Sequence, residues 1–432
     1  MKYPLIFILT ACALGVAGLS LAYLDEGNLN SVRPARSPSL TKPMPLKPDT
    51  FGFSETDYKV QAVLDLHDTV ISAGADSAFI IAELSTPSPN TVVSVISCSN
   101  GRGFALEKKV FQAVIFRPGD PLKRAVDCSI QNSKSGDYIE FRQAHIPDGA
   151  IAGDRKARAV ITETENTSSR PSEQPRAPYK FAPYGRLSYI LDSSQVKISD
   201  NSKNGEWSTA FTHGRTQPAN RETGYYGTLQ MGSVSKSQSV INLNTKRLEH
   251  PIDAKDGRPP YPFMAAVMSG HNLKQSHFKY GSIEWVARMP SQKGTWPALW
   301  LLPRSGWPPE IDVYEGFSHN SEWRPSASLS SAIHGGKNLQ REFQRSILRL
   351  QVGDIGIDTD LTKSFNRYQV RVTPDWITTF VNDIETARFA NIFDGEIWYP
   401  LMTVAVRTSE DKLYDENIAK MEIKSMKVWQ QN

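Results

Sequence analysis

Short runs of β-branched and aromatic residues, broken at fairly regular spacing by Gly, Pro, Asn and Asp, constrain this chain more than any other feature. In the first third they fall at residues 59–83, 91–98, 110–116, 123–130, 138–143 and 157–162. Runs of this kind with turn residues at their ends predict an all-β sandwich. The length of 432 residues exceeds one small domain and predicts two or three units. With 39% hydrophobic and 22% charged residues the chain is neither wholly disordered nor a collagen nor a long coiled coil. A net charge of +4 from 49 basic and 45 acidic residues leaves no basic stripe, so a nucleic-acid partner has no support.

The ends and the Pro-rich stretches set the boundaries. Residues 3–22 are one apolar run behind Lys2, and Ser20-Leu21-Ala22 makes a small-x-small cleavage signal before Tyr23. Segment 1–22 reads as a signal peptide or, since the run is long enough to span a bilayer, as an uncleaved N-terminal anchor giving membrane attachment. Leu9-Thr10-Ala11-Cys12 also resembles a lipoprotein box, although apolar residues continue to Ala22 where a lipoprotein turns polar. The expected location is secreted, periplasmic or cell-surface. Segment 23–50 carries Pro34, Pro38, Pro43, Pro45 and Pro48, and segment 163–184 carries Pro171, Pro175, Pro178 and Pro183. Both compositions favour an extended spacer, leaving ordered blocks at 51–162 and 185–432.

Cys12 falls in the targeting segment, so Cys98 and Cys128 remain as an even pair. Cys98 ends the run TVVSVIS and Cys128 follows KRAVD, so neighbouring strands of one sandwich would bring them together as a disulfide; two buried thiols are the alternative. The stretches VIFRPGDPLKRAVDCSI and IPDGAIAGDRKARAVIT resemble Calx-β-like and related immunoglobulin-like modules, which implies a small immunoglobulin-like β-sandwich for block 51–162. That block shows no clustered His, paired carboxylates or nucleophile-base pattern, and reads as a structural module, a spacer or a weak carbohydrate binder.

The chemistry lies further on, where Glu310, Asp312 and Glu315 share a β-prone stretch that starts after Pro308-Pro309. In a regular strand Glu310 and Asp312 face one side and Glu315 the other. One extra residue, a β-bulge around Val313-Tyr314, returns Glu315 to the acidic face. Three carboxylates on one face repel, so without a cation they call for a chemical reason. Glycoside hydrolysis supplies one, since a retaining glycosidase pairs a carboxylate nucleophile with a protonated carboxylic acid about 5–5.5 Å away. A solvated acidic edge or a Ca²⁺ loop is the plainer reading of the triplet alone. Immediately upstream, GTWPALWLLP places Trp296 and Trp300 on an apolar strand, and indole faces stack on sugar C–H surfaces.

GTWPALWLLP followed by WPPEIDVYE, with YGSIEWVARMP before them, resembles glycoside hydrolase family 16, the laminarinase, lichenase and exopolysaccharide-depolymerase family. Looser matches run through GRTQPANRETGYY, AIH at His334, FNRYQVRVTPDWITTFVND and the closing IKSMKVWQ. The resemblance implies a concave β-jelly roll over 185–432, with Glu310 as nucleophile, Glu315 as acid/base and Asp312 assisting the nucleophile. It implies cleft-lining places for Trp296, Trp300, Asn220, Glu222, Glu284 and His334. Trp307 either lines the cleft or braces the sheet, and His334 could equally be a core histidine; no second His suggests a metal site.

Three positions depart from the family pattern: Val286 replaces an Arg two residues after Glu284, Met402 to Thr408 lacks a Gly pair and a Trp, and Ile384 replaces a hairpin Gly. The leading expectation is an exported endo-acting β-glycan hydrolase acting as a monomer on a β-1,3/1,4-glucan or exopolysaccharide, with no required cofactor and a structural calcium as an option. A transglycosylase using the same covalent intermediate and a non-catalytic carbohydrate-binding protein are the alternatives.

Overall fold

The computed structural model describes residues 61–431 apart from 101–109, 131–132, 145–146, 164–166, 202–204, 238, 317–325, 336–344, 394, 408–410 and 415–417. The targeting segment 1–22, the spacer 23–50 and Cys12 lie outside the described residues, among which no helix is long and apolar enough to cross a membrane.

The first unit comprises β1 (Val63–His67), β2 (Thr69–Ser72), β3 (Ser77–Leu84), β4 (Val92–Asn100), β5 (Val110–Phe116), β6 (Lys123–Ser129), β7 (Tyr138–Gln143), β8 (Ile151–Ala152) and β9 (Lys156–Thr162). They form two sheets, β6-β3-β1-β8 and β2-β9-β7-β4-β5. Alternation decides what lies between them: Lys156, Arg158 and Val160 of β9 are exposed while Ala157, Ala159 and Ile161 are buried. Leu64, Ile80, Ile96, Phe116, Val126 and Phe141 join these in one core. Cys98 of β4 and Cys128 of β6 stand close across the two sheets, their Cα atoms 6.3 Å apart.

The second unit comprises β10 (Arg186–Leu191), β11 (Ile198–Ser199), β12 (Trp207–Ser208), β13 (Gly224–Tyr226), β14 (Val234–Lys236), β15 (Ile241–Ile252), β16 (Tyr261–Ser269), β17 (Gly281–Arg288), β18 (Trp296–Pro303), β19 (Glu310–Glu315), β20 (Ser328–His334), β21 (Arg345–Gln351), β22 (Asn366–Val372), β23 (Trp376–Val381), β24 (Ile384–Ala390), β25 (Trp398–Ala405) and β26 (Ala419–Gln430). It is all-β, a jelly-roll sandwich. One sheet runs β15-β26-β17-β22-β23-β24, with β10 beside the far half of β26. The other runs β16-β25-β18-β19-β20-β21. The long β15 serves both, pairing with β26 through Thr245 and with β16 from Lys246 onward.

Trp285, Leu299, Leu301, Ile311, Tyr314, Tyr368, Phe389, Trp398 and Met402 fill the space between the sheets. Each such side chain withdrawn from water contributes roughly 1.5–3 kcal/mol, which fixes strand register because a one-residue slip would expose the whole set. The hairpin between β23 and β24 turns on Asn382 (φ 49°) and Asp383 (φ 70°). Two left-handed residues are what a two-residue hairpin demands, so Asn-Asp does the work of the absent Gly and Ile384 begins the strand.

Residues 167–184 form no named strand or helix, yet they make contacts with both units. Ser168 exchanges hydrogen bonds with Val70, and the Arg176 backbone N–H donates to Asp120 at 2.8 Å, all on the first unit. Further along, the Arg176 guanidinium binds Glu385 of β24 at 3.0 Å, Tyr179 N–H donates to the same carboxylate at 2.8 Å, and the Phe181 ring packs on Phe380.

Candidate active site

On β18 the alternation sends Leu299 and Leu301 into the core between the sheets and Trp296, Ala298 and Trp300 to the opposite face. There they meet Phe211, Tyr226, Val267, Tyr399 and Leu401, an apolar and aromatic floor separate from the main core. The next strand, β19, places its acids on the same face. Ala298 stands opposite Glu315, Leu299 opposite Tyr314 and Trp300 opposite Asp312, so three residues on β18 span four on β19 and Val313 is the extra one. The partner on the other side agrees, since Asp312 faces Ala332 and Glu315 faces Ser330. The bulge therefore sits where the sequence requires it, with Ile311, Val313 and Tyr314 in the core and Glu310, Asp312 and Glu315 together on the outer face.

The carboxylates are largely withdrawn from solvent: Asp312 and Glu315 are buried, and the Glu310 side chain is 18% exposed. His334, opposite Glu310 on β20, reaches Asp312 Oδ2 at 3.0 Å and Glu310 Oε1 at 3.5 Å. Burial pushes the Glu310 carboxyl well above its ordinary range, the Asp312 and Glu315 charges push it further, and His334 pulls it back. Glu315 accepts from the Trp296 indole N–H at 3.1 Å. The arrangement sets Glu310 and Asp312 beside an imidazole, with Glu315 on an aromatic wall; glycoside cleavage calls for two such acids.

A further buried acid borders this floor. Glu222 takes the Tyr226 hydroxyl at 2.7 Å and the Asn220 side-chain amide at 3.3 Å, and burial lifts its carboxyl to about 7. Arg407 forms a backbone bridge with Glu222, and its guanidinium carbon lies 5.0 Å over the Trp296 ring. Glu222, Arg407, Trp296 and Glu315 thus form a continuous line. Tyr226, Phe211 and Arg407 went unread in the sequence, where only the GYY after Glu222 hinted at the first and the departure at 402–408 concealed the last.

One expected cleft residue stands on the other sheet. Ile283, Trp285 and Ala287 point into the core from β17 of the other sheet, so Glu284 faces away from the acids and accepts from Gln369 Nε2 at 3.0 Å. Val286 shares that outward face, and its replacement of Arg therefore takes no donor from the cleft. The cause is sheet membership, which strand-by-strand periodicity does not reveal. Trp307 lies in the turn before β19 and is 51% exposed, not part of the aromatic floor.

Donor atoms of Glu310, Asp312 and His334 lie within 4.8 Å of one another, the one group among the described residues with metal-ligand spacing. It coincides with the acid cluster and defines no separate metal centre.

Fold and site together define a carbohydrate-active β-sandwich. Residues 222–423 match the model of Glycosyl hydrolases family 16, and the second unit is a domain of that family. Relatives include the Endo-1,3-1,4-beta-glycanase EglC of Rhizobium meliloti (strain 1021), 28% identical over 210 residues, covering 46% of this chain and 41% of that protein. The Beta-glucanase of Rhodothermus marinus is 31% identical over 180 residues, covering 40% of this chain and 56% of the relative. The chain thus spans about half the length of the curated relatives it matches. Among solved structures, the laminarinase from Rhodothermus marinus aligns at 20% identity with a TM-score of 0.45, over 58% of this chain and 99% of the other.

Proposed function

We propose that this chain is a retaining endo-β-glycan hydrolase that cleaves a β-1,3/1,4-linked glucan or a related exopolysaccharide by double displacement. The observation that carries the reading is the single face shared by Glu310, Asp312 and Glu315, made possible by the Val313 bulge and backed by the aromatic floor. The names of the relatives, an endo-1,3-1,4-β-glycanase and a β-glucanase, point to the same substrates.

In the first step Glu310 attacks the anomeric carbon while Glu315 gives its proton to the departing glycosidic oxygen, leaving a glycosyl ester on Glu310. Water then adds with Glu315 taking its proton, and the ester bond breaks to release the sugar and free carboxylate. His334 bears on the ionisation of Glu310. Its contacts with Asp312 and Glu310 offset part of the upward push that burial and the neighbouring acids exert on Glu310, which must be ionised to attack. Trp296 and Trp300 offer stacking surface for the sugar rings.

Incubation with a panel of laminarin, mixed-linkage glucan and exopolysaccharides, followed by NMR of the first product, tests this directly. Internal cleavage with retained β-configuration is expected. An inverted first product, or no cleavage of any β-glycan, would remove the reading, and products longer than the substrate would mark a transglycosylase.

Export belongs to the same proposal, supported by the apolar run at 3–22 and a polymeric substrate too large to be imported intact. Cell fractionation with N-terminal sequencing distinguishes release after Ala22 from retention of the run as an anchor, and full-length protein in the cytosol would refute export.

A further inference from the structure

The sandwich of the second unit ends on one side in two edge strands, β21 of the acid-bearing sheet and β24 of the other. An edge strand presents unpaired backbone groups and must be covered or blunted. Here the first unit covers both. At β24, Thr91 N–H donates to Arg388 C=O at 2.9 Å, the Thr91 hydroxyl accepts from Arg388 N–H at 3.0 Å, and Asn90 Oδ1 accepts from Ala390 N–H at 3.0 Å. At β21, Asp148 accepts from the Arg349 backbone N–H at 3.0 Å and from its guanidinium at 2.8 Å. Between these contacts Val93, 3% exposed, enters the main core of the second unit.

The β21 contact reaches the active face. Leu348 and Leu350 point into the core, so Arg349 takes the other side, and the ladder aligns Glu315 with Ser330 and Ser330 with Arg349. Two strand spacings of about 4.8 Å carry this row from the acid/base position to the first unit.

From these contacts we propose that the first unit is an integral part of the catalytic body: it closes the open edge of the family 16 sandwich and, through Asp148 on Arg349, walls the cleft on the Glu315 side. The partner this surface fits is the chain's own N-terminal sandwich, held there by the 167–181 strap. The edge closure stands apart from the proposed activity, and the cleft wall rests on it.

Calorimetry and amide hydrogen exchange on the full chain test the closure. One unfolding transition is expected, with the amides of β21 and β24 as protected as those of β18. In Asp148→Ala the Arg349 amide should exchange about tenfold faster or more, and in Asn90→Ala the Ala390 amide likewise, because each loses its acceptor at a strand edge. Two resolved transitions, or a proteolytic cut within 167–184 that frees a C-terminal fragment with unchanged melting temperature, would overturn the closure whether or not the enzyme is active. For the wall, Asp148→Ala should raise KM for polymer several-fold; an equal KM with accelerated exchange would overturn the wall and keep the closure.

Discussion

The Trp296 indole N–H donates to Glu315 Oε1 at 3.1 Å, a bond between neighbouring strands on the face away from the main core. It ties the proposed proton donor to the aromatic floor, so orientation of the acid depends on the register of β18 against β19. Trp296→Phe keeps most of the ring and removes the donor; kcat should fall by about tenfold or more with a smaller change in KM. Steady-state kinetics on a soluble β-glucan provide the check.

Glu310→Gln and Glu315→Gln should each lower turnover by several orders of magnitude with the fold kept, because each removes a group that acts in the transition state. Asp312→Asn should cost less. Activity assays beside circular dichroism decide, and near-native turnover in either Glu variant would rule out the assigned roles.

Deleting Val313 would restore regular alternation along β19, keeping Ile311 and Tyr314 inward and all three acids outward. The variant should fold, yet Glu315 would move by about one strand step of 3.3 Å relative to Glu310. Misplacement on that scale predicts a loss of about 10²-fold or more in kcat. Thermal melting and rate measurements on one preparation separate folding from geometry.

The sign of the pH dependence at Glu222 follows from its raised carboxyl. A native value of about 7, above the ordinary 4.5, means the folded protein binds this proton more tightly than the unfolded chain. The stability conferred by the neutral buried acid is complete below about pH 4.5 and is lost as pH rises through about 7, up to roughly 3 kcal/mol in all. Glu222→Gln should flatten melting temperature against pH across that window, and an unchanged profile would refute the assignment.

His334 holds the Glu310 carboxyl down, so His334→Gln should move the acid limb of kcat/KM to higher pH. Because Glu310, Asp312 and His334 have metal-ligand spacing, added Zn²⁺ should inhibit, while a chelator should leave hydrolysis intact. A pH series with and without each additive examines both expectations.

Much of this was legible in one strand. Val313 lengthens the acid motif by one residue, and parity alone required the bulge that the ladders display. Trp296 and Trp300 stand four apart, which fixes a common face in any strand. Glu284 had its cleft place from the resemblance alone, and which sheet β17 joins is decided by distant partners in β22 and β26. Arg407 was hidden for a related reason: a cation matters here through the ring it covers, and no local spacing links it to Trp296. The strap misled through its prolines, which specify an extended chain and say nothing of the strands it will lie against.

Thr91 and Arg388 are 297 positions apart, and β26, the last strand, is flanked by β10, β15 and β17. A ribosome therefore delivers the first sandwich long before the edge it covers, and the place between β15 and β17 is filled only once β26 has followed all the other described strands. Until then the early strands wait without their partner, so a chain stopped before β26 would lack a finished sheet.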